Sequence, residues 1–542
     1  MLRPDLAPHS LTCIAEAIQA DAAIRDRLAG IRVSGVELDS RLVQPGDLFV
    51  ALPGRTVHGA QHVPQALAAG AVAVLTDSVG AAIVADTGVD VFTVENVRAQ
   101  LGLVASSVYQ TGEGSTVRQS LEILGVTGTN GKTTVAHLIA ASLEASGIST
   151  GLIGTIGIRV GDQYWSSERT TPESVHLHAA LAAMAQRGVR AVALEASSHA
   201  LAEGRLAGLV IDVAGFTNLS QDHLDYHGTM EEYFQTKARL FTPAHARRGL
   251  VGIDDEYGVR LAAQAEIEIQ TWSAGDDEHP SLPAADWRLM PLSNAPDAGC
   301  SWAAWGPDGS VQALAMPLPG AFNRANVLCA YAMLRNTSQG LGLTATRAAE
   351  GLAKAVVPGR MEQVVVSPEQ SLQAVVDYAH TPEAISRVLR ALRSSLDAAL
   401  QRAATAESGR FVAVIGAGGN RDRDKRPAMG AAAAHWADLV IVTDDNPRDE
   451  DPAAIRAAVI TGALQADSGA EVIEIADRAE AIDMAVRRAV PRGSIAILGK
   501  GHERNQEVAG LMHPFDDRAE LARALRAAFT GPEQVSSWQV SS

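Results

Sequence analysis

One short stretch constrains the fold of this chain more than any other feature. It reads Gly-Val-Thr-Gly-Thr-Asn-Gly-Lys-Thr-Thr over residues 125–134, after the apolar run 120–124 and before a helical pattern over 135–144. A strand, a glycine-rich turn, Gly-Lys-Thr and a helix are the context that a phosphate-binding loop requires. Glycines let backbone N–H groups point inward, and the helix adds the positive end of its dipole. The stretch predicts an open α/β sheet that binds nucleotide phosphates at a strand end.

The side chains of this loop indicate ATP. Lys132 is expected to reach the outer phosphates, and Thr133 to offer its hydroxyl to Mg2+. The common pattern G-x-x-x-x-G-K-[ST] is not fully met, because Val126 stands where the first glycine belongs. An ordinary glycine turn is the alternative, but the flanking elements favour a nucleotide site. The predicted ATP-binding residues of the loop are Gly128, Thr129, Asn130, Gly131, Lys132, Thr133 and Thr134.

Composition narrows the class of protein. The chain has 542 residues, 47% of them hydrophobic and 20% charged, with a net charge of −17. The length suggests about three domains, and the acidic balance argues against nucleic acid as a partner. The three cysteines show no metal spacing, and we find neither an N-terminal secretion signal nor an apolar run long enough to span a membrane. A cytoplasmic protein without membrane insertion is expected, and a monomer.

The alternation of strand-like and helix-like segments predicts an α/β protein of three domains, at residues 1–112, 113–356 and 357–542. The central one is expected to hold the phosphate loop on a parallel or mixed sheet. An N-terminal α/β domain and a C-terminal Rossmann-like α/β domain are expected to flank it. The polar, glycine-rich segment 109–116 predicts a linker, and the mixed composition of 266–318 suggests a small antiparallel excursion.

Further polar residues follow predicted strands of the central domain. Glu195 ends the run 191–195, His223 comes shortly after the run 213–217, and Lys237 lies further on. Open α/β sheets bind their ligands at the carboxyl ends of strands, and oxygen ligands beside polyphosphate suit Mg2+. Each residue alone has an ordinary alternative, such as a helix cap or a surface histidine. Together they predict one catalytic and metal site with Thr133.

On these motifs the chain closely resembles the Mur ligase family, ATP-dependent enzymes that add amino acids to the peptidoglycan precursor. The resemblance runs from Asp39 to about Asp517 and includes the variant glycine placement of the loop. It implies catalytic roles for Lys132, Glu195, His223 and Lys237, with Lys237 carbamylated. A carbamate turns a cation into a carboxylate-like metal ligand. The resemblance also adds Asn326 and Arg360 to the ATP site.

Within the family, the resemblance is to the branch that acts on UDP-N-acetylmuramoyl-L-Ala-D-Glu. Glu203 departs from the pattern, because several members carry glutamine there, and it adds a negative charge near an anionic substrate. The positions that match the binding site for this substrate are Leu38, Ser40, Thr170, Thr171, Ser197, Glu203 and Arg205.

The C-terminal region carries a specificity motif. Residues 445–448, Asp-Asn-Pro-Arg, match the motif that the family associates with meso-diaminopimelate rather than lysine. Meso-diaminopimelate has a second carboxylate, which a guanidinium can grip with two parallel bonds. With lysine bound, Arg448 would be unpaired and would face an ammonium, which is expected to favour meso-diaminopimelate by about 3–5 kcal/mol. An ordinary turn with a surface arginine is the alternative. The predicted diaminopimelate-binding residues are Arg421, Asp445, Asn446, Pro447, Arg448, Gly499 and Glu503.

The resemblance implies an amide ligase that works through an acyl phosphate, with ATP and Mg2+ as cofactors. A lysine-adding member of the family is the closest alternative on substrate. A folylpolyglutamate synthase is a further alternative, but it lacks the N-terminal Asp39-Ser-Arg41 region. A regulatory NTPase that only switches on ATP belongs to a different class, and it leaves the Arg421 and Arg448 pocket without purpose.

Overall fold

A computed structural model describes residues 2–54, 56–275, 284–292, 302–403 and 409–529. The chain divides into two compact units. The first contains Met1–Met316 with Arg324–Ala355, and the second contains Pro317–Asn323 with Val356–Ser542. Both are α/β, so the predicted class is confirmed, whereas the three exact domain boundaries stay predictions. Cys300 lies outside the described residues. No helix in the described ranges is both long and apolar enough to cross a membrane.

The N-terminal part of the first unit is built on a parallel sheet. In the described residues this sheet has four strands in the order β3-β4-β5-β6, and β1 pairs with β2 beside it. All four residues of β4 are buried, as expected for a parallel strand covered on both faces. The elements are β1 His9–Ser10, β2 Arg32–Val33, β3 Gly35–Glu37, β4 Asp47–Val50, β5 Ala73–Thr76, β6 Val91–Thr93, α1 Ala22–Gly30, α2 Val63–Ala68, α3 Ser78–Ile83 and α4 Val97–Val108.

The predicted linker at 109–116 is packed where it begins. The Tyr109 hydroxyl accepts a hydrogen bond from the Val36 backbone N–H at 2.9 Å, and the Thr111 hydroxyl lies 2.5 Å from Nδ1 of His178. Both Tyr109 and Thr111 are buried. The start of the predicted linker therefore packs against the first unit. Its polar groups serve buried hydrogen bonds within one compact unit, which composition does not distinguish from exposure to water.

The rest of the first unit surrounds a large mixed sheet. Its described strands follow the order β10-β9-β8-β11-β7-β12-β13-β14-β15-β16-β17, so the strand before the phosphate loop lies in the middle. The predicted strands at 191–195 and 213–217 are confirmed as parallel neighbours of β7. The strands are β7 Glu122–Thr127, β8 Thr150–Gly154, β9 Gly157–Val160, β10 Gln163–Trp165, β11 Ala191–Glu195, β12 Ile211–Phe216, β13 Ala246–Gly252, β14 Glu268–Ser273, β15 Trp287–Pro291, β16 Trp302–Trp305 and β17 Val311–Leu314.

Helices cover this sheet. Its core is formed by apolar residues of α6, which begins at the phosphate loop, and of α12, which packs against the same cluster. The helices of this region are α5 Thr116–Ser120, α6 Lys132–Ala145, α7 Ser174–Gln186, α8 Ser198–Ala202, α9 Leu224–His227, α10 Met230–Ala238, α11 Glu256–Gln264, α12 Ala321–Arg335 and α13 Ala345–Ala353. Short 3-10 helices in this unit cover Leu11–Ile14, Gly59–His62, Ala85–Thr87, Arg239–Phe241 and Gln339–Leu341.

The segment 266–318 differs partly from its prediction. Strand β16 pairs antiparallel with both β15 and β17, as suggested, but these strands extend the edge of the main sheet. Strand β14 pairs in parallel with β13. Trp272 and Trp287 are buried in the same apolar cluster as α6, which explains why a polar-rich segment is fixed to the sheet. Residues 276–283 and 293–301 lie outside the described ranges.

The second unit contains a second α/β sheet. Its described strands follow the order β18-β19-β23-β20-β21-β22, parallel except for β18 at the edge. The predicted strands at 371–377, 411–415, 439–443 and 494–498 are confirmed. The elements are β18 Glu362–Gln363, β19 Gln373–Asp377, β20 Phe411–Ile415, β21 Leu439–Val442, β22 Glu471–Glu474, β23 Ser494–Leu498, β24 Asn505–Val508, β25 Leu511–Pro514, α14 Pro382–Ala403, α15 Lys425–Trp436, α16 Pro452–Gln465, α17 Arg478–Ala489 and α18 Asp517–Phe529.

Candidate active site

The phosphate loop connects β7 to α6 with two glycines in left-handed backbone conformations. Gly128 has a φ of 143° and Gly131 a φ of 89°. A Cβ atom on Gly128 would lie 1.9 Å from the hydroxyl of Thr217, and one on Gly131 would lie 2.3 Å from Oδ1 of Asn326. These positions therefore require glycine. Asn326, predicted from the resemblance, lies against the loop that it was expected to serve.

Lys132 folds back over this loop. Its ammonium donates to the backbone carbonyls of Gly128 and Thr129, both at 2.9 Å. It stands at the first residue of α6, where the helix dipole also favours negative charge. A phosphate that enters the loop meets this ammonium and the helix N-terminus together.

A buried carboxylate adjoins the first turn of α6. Glu195, at the end of β11, accepts hydrogen bonds from the hydroxyls of Thr133 at 2.9 Å and Thr155 at 3.0 Å. Its other oxygen accepts from the Thr155 backbone N–H at 2.8 Å. The predicted pair of Thr133 and Glu195 is thus brought together. Thr155 was missed, although its place after β8 at the same sheet edge was a signal.

The oxygen atoms of Thr133 and Glu195 suit Mg2+, a hard cation that takes few protein ligands beside nucleotide phosphates. In the part of the chain that the structure describes, no group of three or more His, Cys, Asp or Glu side chains could hold a metal ion by itself. The two oxygen donors of Thr133 and Glu195 fit a cation that takes its other ligands from phosphate and water.

Lys237, on α10, is buried beside the phosphate loop. Its amine donates to the Gly128 carbonyl at 2.7 Å and lies 4.6 Å from the centre of the Tyr233 ring. Burial holds the pKa of this amine well below its usual range, and the positive charge of Lys132 lowers it further. These conditions favour a neutral amine.

His223 lies in a group of rings near the same loop. Its ring centroid is 4.9 Å from that of His199 and 6.3 Å from that of Tyr233. Burial lowers the pKa of His223, and the charge of Lys132 acts in the same direction. The hydroxyl of Tyr233 lies 3.2 Å from that of the loop residue Thr129, so this group of rings adjoins the phosphate loop. His199 and Tyr233 were not predicted.

The residues predicted to bind the dipeptide part of the substrate converge beside Glu195. The Thr171 hydroxyl donates to the Glu195 carbonyl at 2.6 Å and lies 3.2 Å from the hydroxyl of Ser197. The Thr170 hydroxyl lies 3.2 Å from that of Thr155. Arg205 donates to the Thr171 carbonyl at 3.1 Å. These hydroxyls and the guanidinium form a polar surface next to Glu195.

Glu203 is bound to Arg205. Its carboxylate accepts from Nε of Arg205 at 3.1 Å, and it lies 3.5 Å from Nη1 of Arg169. Burial alone would raise the pKa of Glu203, but the hydrogen bond from Arg205 and nearby arginines hold it below its usual range. The extra negative charge noted in the sequence is therefore compensated by neighbouring arginines.

The N-terminal sheet bears a cavity of about 490 Å³. That volume lies within the range of small-ligand sites. Ser40 donates to Oε1 of Gln65 at 2.8 Å at its wall, and the predicted Leu38 also lines it. The lining residues are Leu38, Asp39, Ser40, Arg41, Phe49, Gly59, His62 and Gln65.

In the second unit, a network joins the ends of β21 and β23. Asn446 donates to Glu503 at 2.8 Å, and the buried ammonium of Lys500 donates to both Asn446 and Glu503, at 3.1 and 3.2 Å. A Cβ atom on Gly499 would lie 2.4 Å from Oδ2 of Asp445. Four of the predicted diaminopimelate-binding residues therefore lie together. Lys500 was not predicted, although it lies between the predicted Gly499 and Glu503 in the sequence.

The remaining predicted residues of this unit surround the network. Arg448, which has a left-handed φ of 53°, donates from Nη1 to the Gly419 carbonyl at 2.8 Å. Pro447 precedes it and is buried, whereas Arg421 is exposed. Arg360, predicted for the ATP site, lies over the ring of Tyr378 at 4.5 Å from its centroid. The role of Arg360 stays a prediction.

Sequence profiles of one family match three parts of the chain. They are those of the Mur ligase family catalytic domain at residues 32–109, the Mur ligase middle domain at 126–334, and the Mur ligase glutamate ligase domain at 359–501. Together they cover both units.

Characterised relatives align over nearly the full length. The UDP-N-acetylmuramoyl-L-alanyl-D-glutamate–2,6-diaminopimelate ligase of Streptomyces coelicolor is 46% identical over 497 residues, 91% of this chain and 92% of that protein. The enzyme of the same name from Corynebacterium glutamicum is 43% identical over 503 residues, 91% of this chain and 92% of that protein. A solved structure of a 2,6-diaminopimelate ligase superposes with a TM-score of 0.64 at 32% identity, covering 96% of this chain and 99% of that one.

Proposed function

The chain belongs to the Mur ligase family, and we propose that it adds meso-diaminopimelate to UDP-N-acetylmuramoyl-L-Ala-D-Glu with hydrolysis of ATP to ADP and phosphate. The observation that supports the choice of amino acid is the loop after β21. It carries Asn446, which donates to Glu503 after β23, and Arg448, whose guanidinium donates to the Gly419 carbonyl after β20. Because the reaction consumes ATP for precursor synthesis, the proposal places the enzyme in the cytoplasm.

The reaction proceeds through an acyl phosphate. The γ-carboxylate of the D-glutamate attacks the terminal phosphorus of ATP, the bond to the β-phosphate oxygen breaks, and ADP leaves. The neutral amine of the amino acid then attacks the acyl carbon, so that an amide forms while phosphate and a proton are released. No covalent bond to the protein is needed, and positioning and charge neutralisation supply most of the catalysis.

Residues around the loop neutralise the phosphate charge. The ammonium of Lys132 already points at the loop, and His223 lies in the group of rings whose Tyr233 adjoins the loop residue Thr129. Thr133, Glu195, His223 and the carbamate of Lys237 would hold Mg2+, which neutralises phosphate charge when it is bound. The hydroxyls of Thr170, Thr171 and Ser197 and the guanidinium of Arg205 would orient the dipeptide next to this centre. The cavity lined by Leu38 and Ser40 would take the uridine end.

Carbamylation of Lys237 is expected because burial disfavours its charged form. The neutral amine adds to CO2, giving a carbamate anion and a proton. Removal of CO2 from the buffer is expected to lower turnover roughly tenfold, which is the loss expected when the surroundings of a metal ion are changed. Addition of bicarbonate is expected to restore turnover. The carbamate should decline as pH falls, because protonation removes the reactive amine.

The measurement combines turnover with ¹³C NMR after exchange with ¹³C-bicarbonate, where a carbamate signal should appear in the wild type and be missing in Lys237→Ala. The control is Lys354→Ala, which removes an exposed lysine. Full turnover without CO2, together with no carbamate signal, would contradict the modification.

The proposed function is tested by phosphate release from ATP with UDP-N-acetylmuramoyl-L-Ala-D-Glu and either meso-diaminopimelate or L-lysine. We expect release with meso-diaminopimelate only, and a product that is heavier by one diaminopimelate residue. Release with lysine alone would keep the ligase but contradict the role of Arg448. Release that ignores both amino acids would favour a regulatory NTPase.

A further inference from the structure

The hairpin of β24 and β25 carries none of the predicted site residues, yet it is hydrogen-bonded to the loop that carries Arg448. The Arg448 backbone N–H donates to the Glu507 carbonyl at 3.1 Å, and the Ala509 N–H donates to the Arg448 carbonyl at 2.8 Å. The Gln506 side chain donates to the Asp445 carbonyl at 2.7 Å. The hairpin is therefore a wall of the proposed amino-acid pocket.

One hairpin side chain contacts the guanidinium itself. Oε2 of Glu507 accepts from Nε of Arg448 at 3.0 Å, while the Gly419 carbonyl accepts from Nη1 at 2.8 Å. These two acceptors hold different nitrogens of the same planar group, so its rotation is restricted. Within the described part of the chain, Nη2 has no hydrogen-bond partner. The Nη2 protons, with the second Nη1 proton, remain for a carboxylate from outside the protein.

The backbone supports this arrangement. A Cβ atom on Gly418 would lie 3.0 Å from Nη1 of Arg448, so the guanidinium packs closely over that residue. The Glu507 backbone N–H donates to Oδ1 of Asn446 at 2.9 Å, which fixes the carboxylate-bearing residue to the same pocket. Glu507 and Arg448 are partly exposed, at 34% and 21% of their side chains, so a small substrate can approach them.

We infer that Glu507 is a positioning residue for the choice of amino acid: its carboxylate holds Arg448 in the orientation that receives the distal carboxylate of the substrate. This inference depends on the proposed function, since it takes a dicarboxylic diamino acid as the ligand. Glu507 does not touch the reacting amine or phosphate. Its loss should therefore raise the KM for meso-diaminopimelate and leave kcat nearly unchanged.

A pure charge effect of Glu507 and a positioning effect predict opposite changes in the KM for meso-diaminopimelate. If Glu507 acted only by its negative charge, it would repel a substrate carboxylate, and Glu507→Ala would lower KM. A positioning role predicts a higher KM in Glu507→Ala. Glu507→Gln keeps an acceptor oxygen without the charge, and it should stay much closer to the wild type.

The experiment is steady-state kinetics of the full chain with varied meso-diaminopimelate and saturating ATP and UDP-N-acetylmuramoyl-L-Ala-D-Glu. We expect KM to rise about tenfold in Glu507→Ala and less than about threefold in Glu507→Gln, with kcat within about twofold. In an Arg448→Ala background, Glu507→Ala should add less than about twofold, because the residue acts through that arginine.

Glu520→Ala is the matched control. Glu520 accepts from Nε of Arg523 at 2.8 Å and is 30% exposed, close to the values for Glu507, but it lies on α18. Its kinetic constants should equal those of the wild type.

Several outcomes would overturn the inference. These are an unchanged KM in Glu507→Ala, an equal loss in the glutamine and alanine variants, and a full Glu507→Ala effect in the Arg448→Ala background. Failure of the wild type to use meso-diaminopimelate would instead overturn the proposed function and the inference with it. The wild-type measurement thus separates the two failures.

Discussion

Lys132→Ala is expected to lose at least about 10³-fold in turnover with every amino acid, since one preorganised donor to developing charge contributes about that much. The Lys132 ammonium is held by two loop carbonyls at 2.9 Å, so it is in place before ATP arrives. Its removal leaves the transferring phosphoryl group with fewer positive neighbours. Because the same step precedes amide formation with any amino acid, the loss should not depend on which one is offered.

The measurement is phosphate release under saturating substrates, with Lys354→Ala, an exposed lysine on the same unit, as the control. Lys132→Arg is expected to be nearly as impaired, because a planar guanidinium does not fit between carbonyls arranged for a compact ammonium. Thermal unfolding should show that both Lys132 variants are folded. More than about a tenth of wild-type turnover in Lys132→Ala would contradict the assigned role.

Arg448→Ala is expected to raise the KM for meso-diaminopimelate about 100-fold, while kcat changes by less than about threefold. The guanidinium has donors left for a carboxylate after it has bonded Glu507 and Gly419. Its loss leaves the distal carboxylate of the substrate in the pocket without a partner. L-lysine has no such carboxylate, so the discrimination between the two amino acids should shrink in the variant.

The comparison requires kcat and KM for both amino acids, with Arg523→Ala as the control for removal of an arginine from a partly exposed ion pair. Arg448→Lys should be intermediate, at roughly tenfold in KM, because it keeps the charge and loses the fork. An unchanged KM in Arg448→Ala would refute the pocket. An equal loss of kcat/KM with meso-diaminopimelate and with L-lysine would instead assign Arg448 a role in the stability of the protein.

Local chemistry made much of the fold and site predictable. A phosphate loop with these glycines, Lys132 and Thr133 joins a strand to the start of a helix. This arrangement points the backbone N–H groups of the loop and of the helix N-terminus at the phosphate. Alternating apolar strands and helices indicated an α/β protein, and the structure confirms this class with an N-terminal parallel sheet, a central mixed sheet and a third sheet in the second unit. Glu195 could be placed because strand ends of one sheet meet at one edge.

Other features depended on contacts between distant parts of the chain. Glu203 introduces a negative charge in the sequence, but its pairing with Arg205 and Arg169 exists only in the fold. The segment 109–116 has the composition of a linker, yet Tyr109 and Thr111 are buried by α7 and β3. Thr155 and Lys500 were not predicted from the sequence, and only their hydrogen bonds to Glu195 and Glu503 in the fold assign them to these sites.

By itself, the sequence determined the nucleotide loop, the α/β class and the amino-acid motif, because each depends on residues close together in the chain. Only the tertiary structure decided that the pKa of Lys237 lies well below its usual range, since that follows from burial beside Gly128 and from the charge of Lys132. The same holds for Arg448, whose orientation depends on Gly419 and Glu507, each distant in sequence. Spacing in the chain predicts which groups are available, whereas desolvation and hydrogen bonding between distant segments decide their charge and direction.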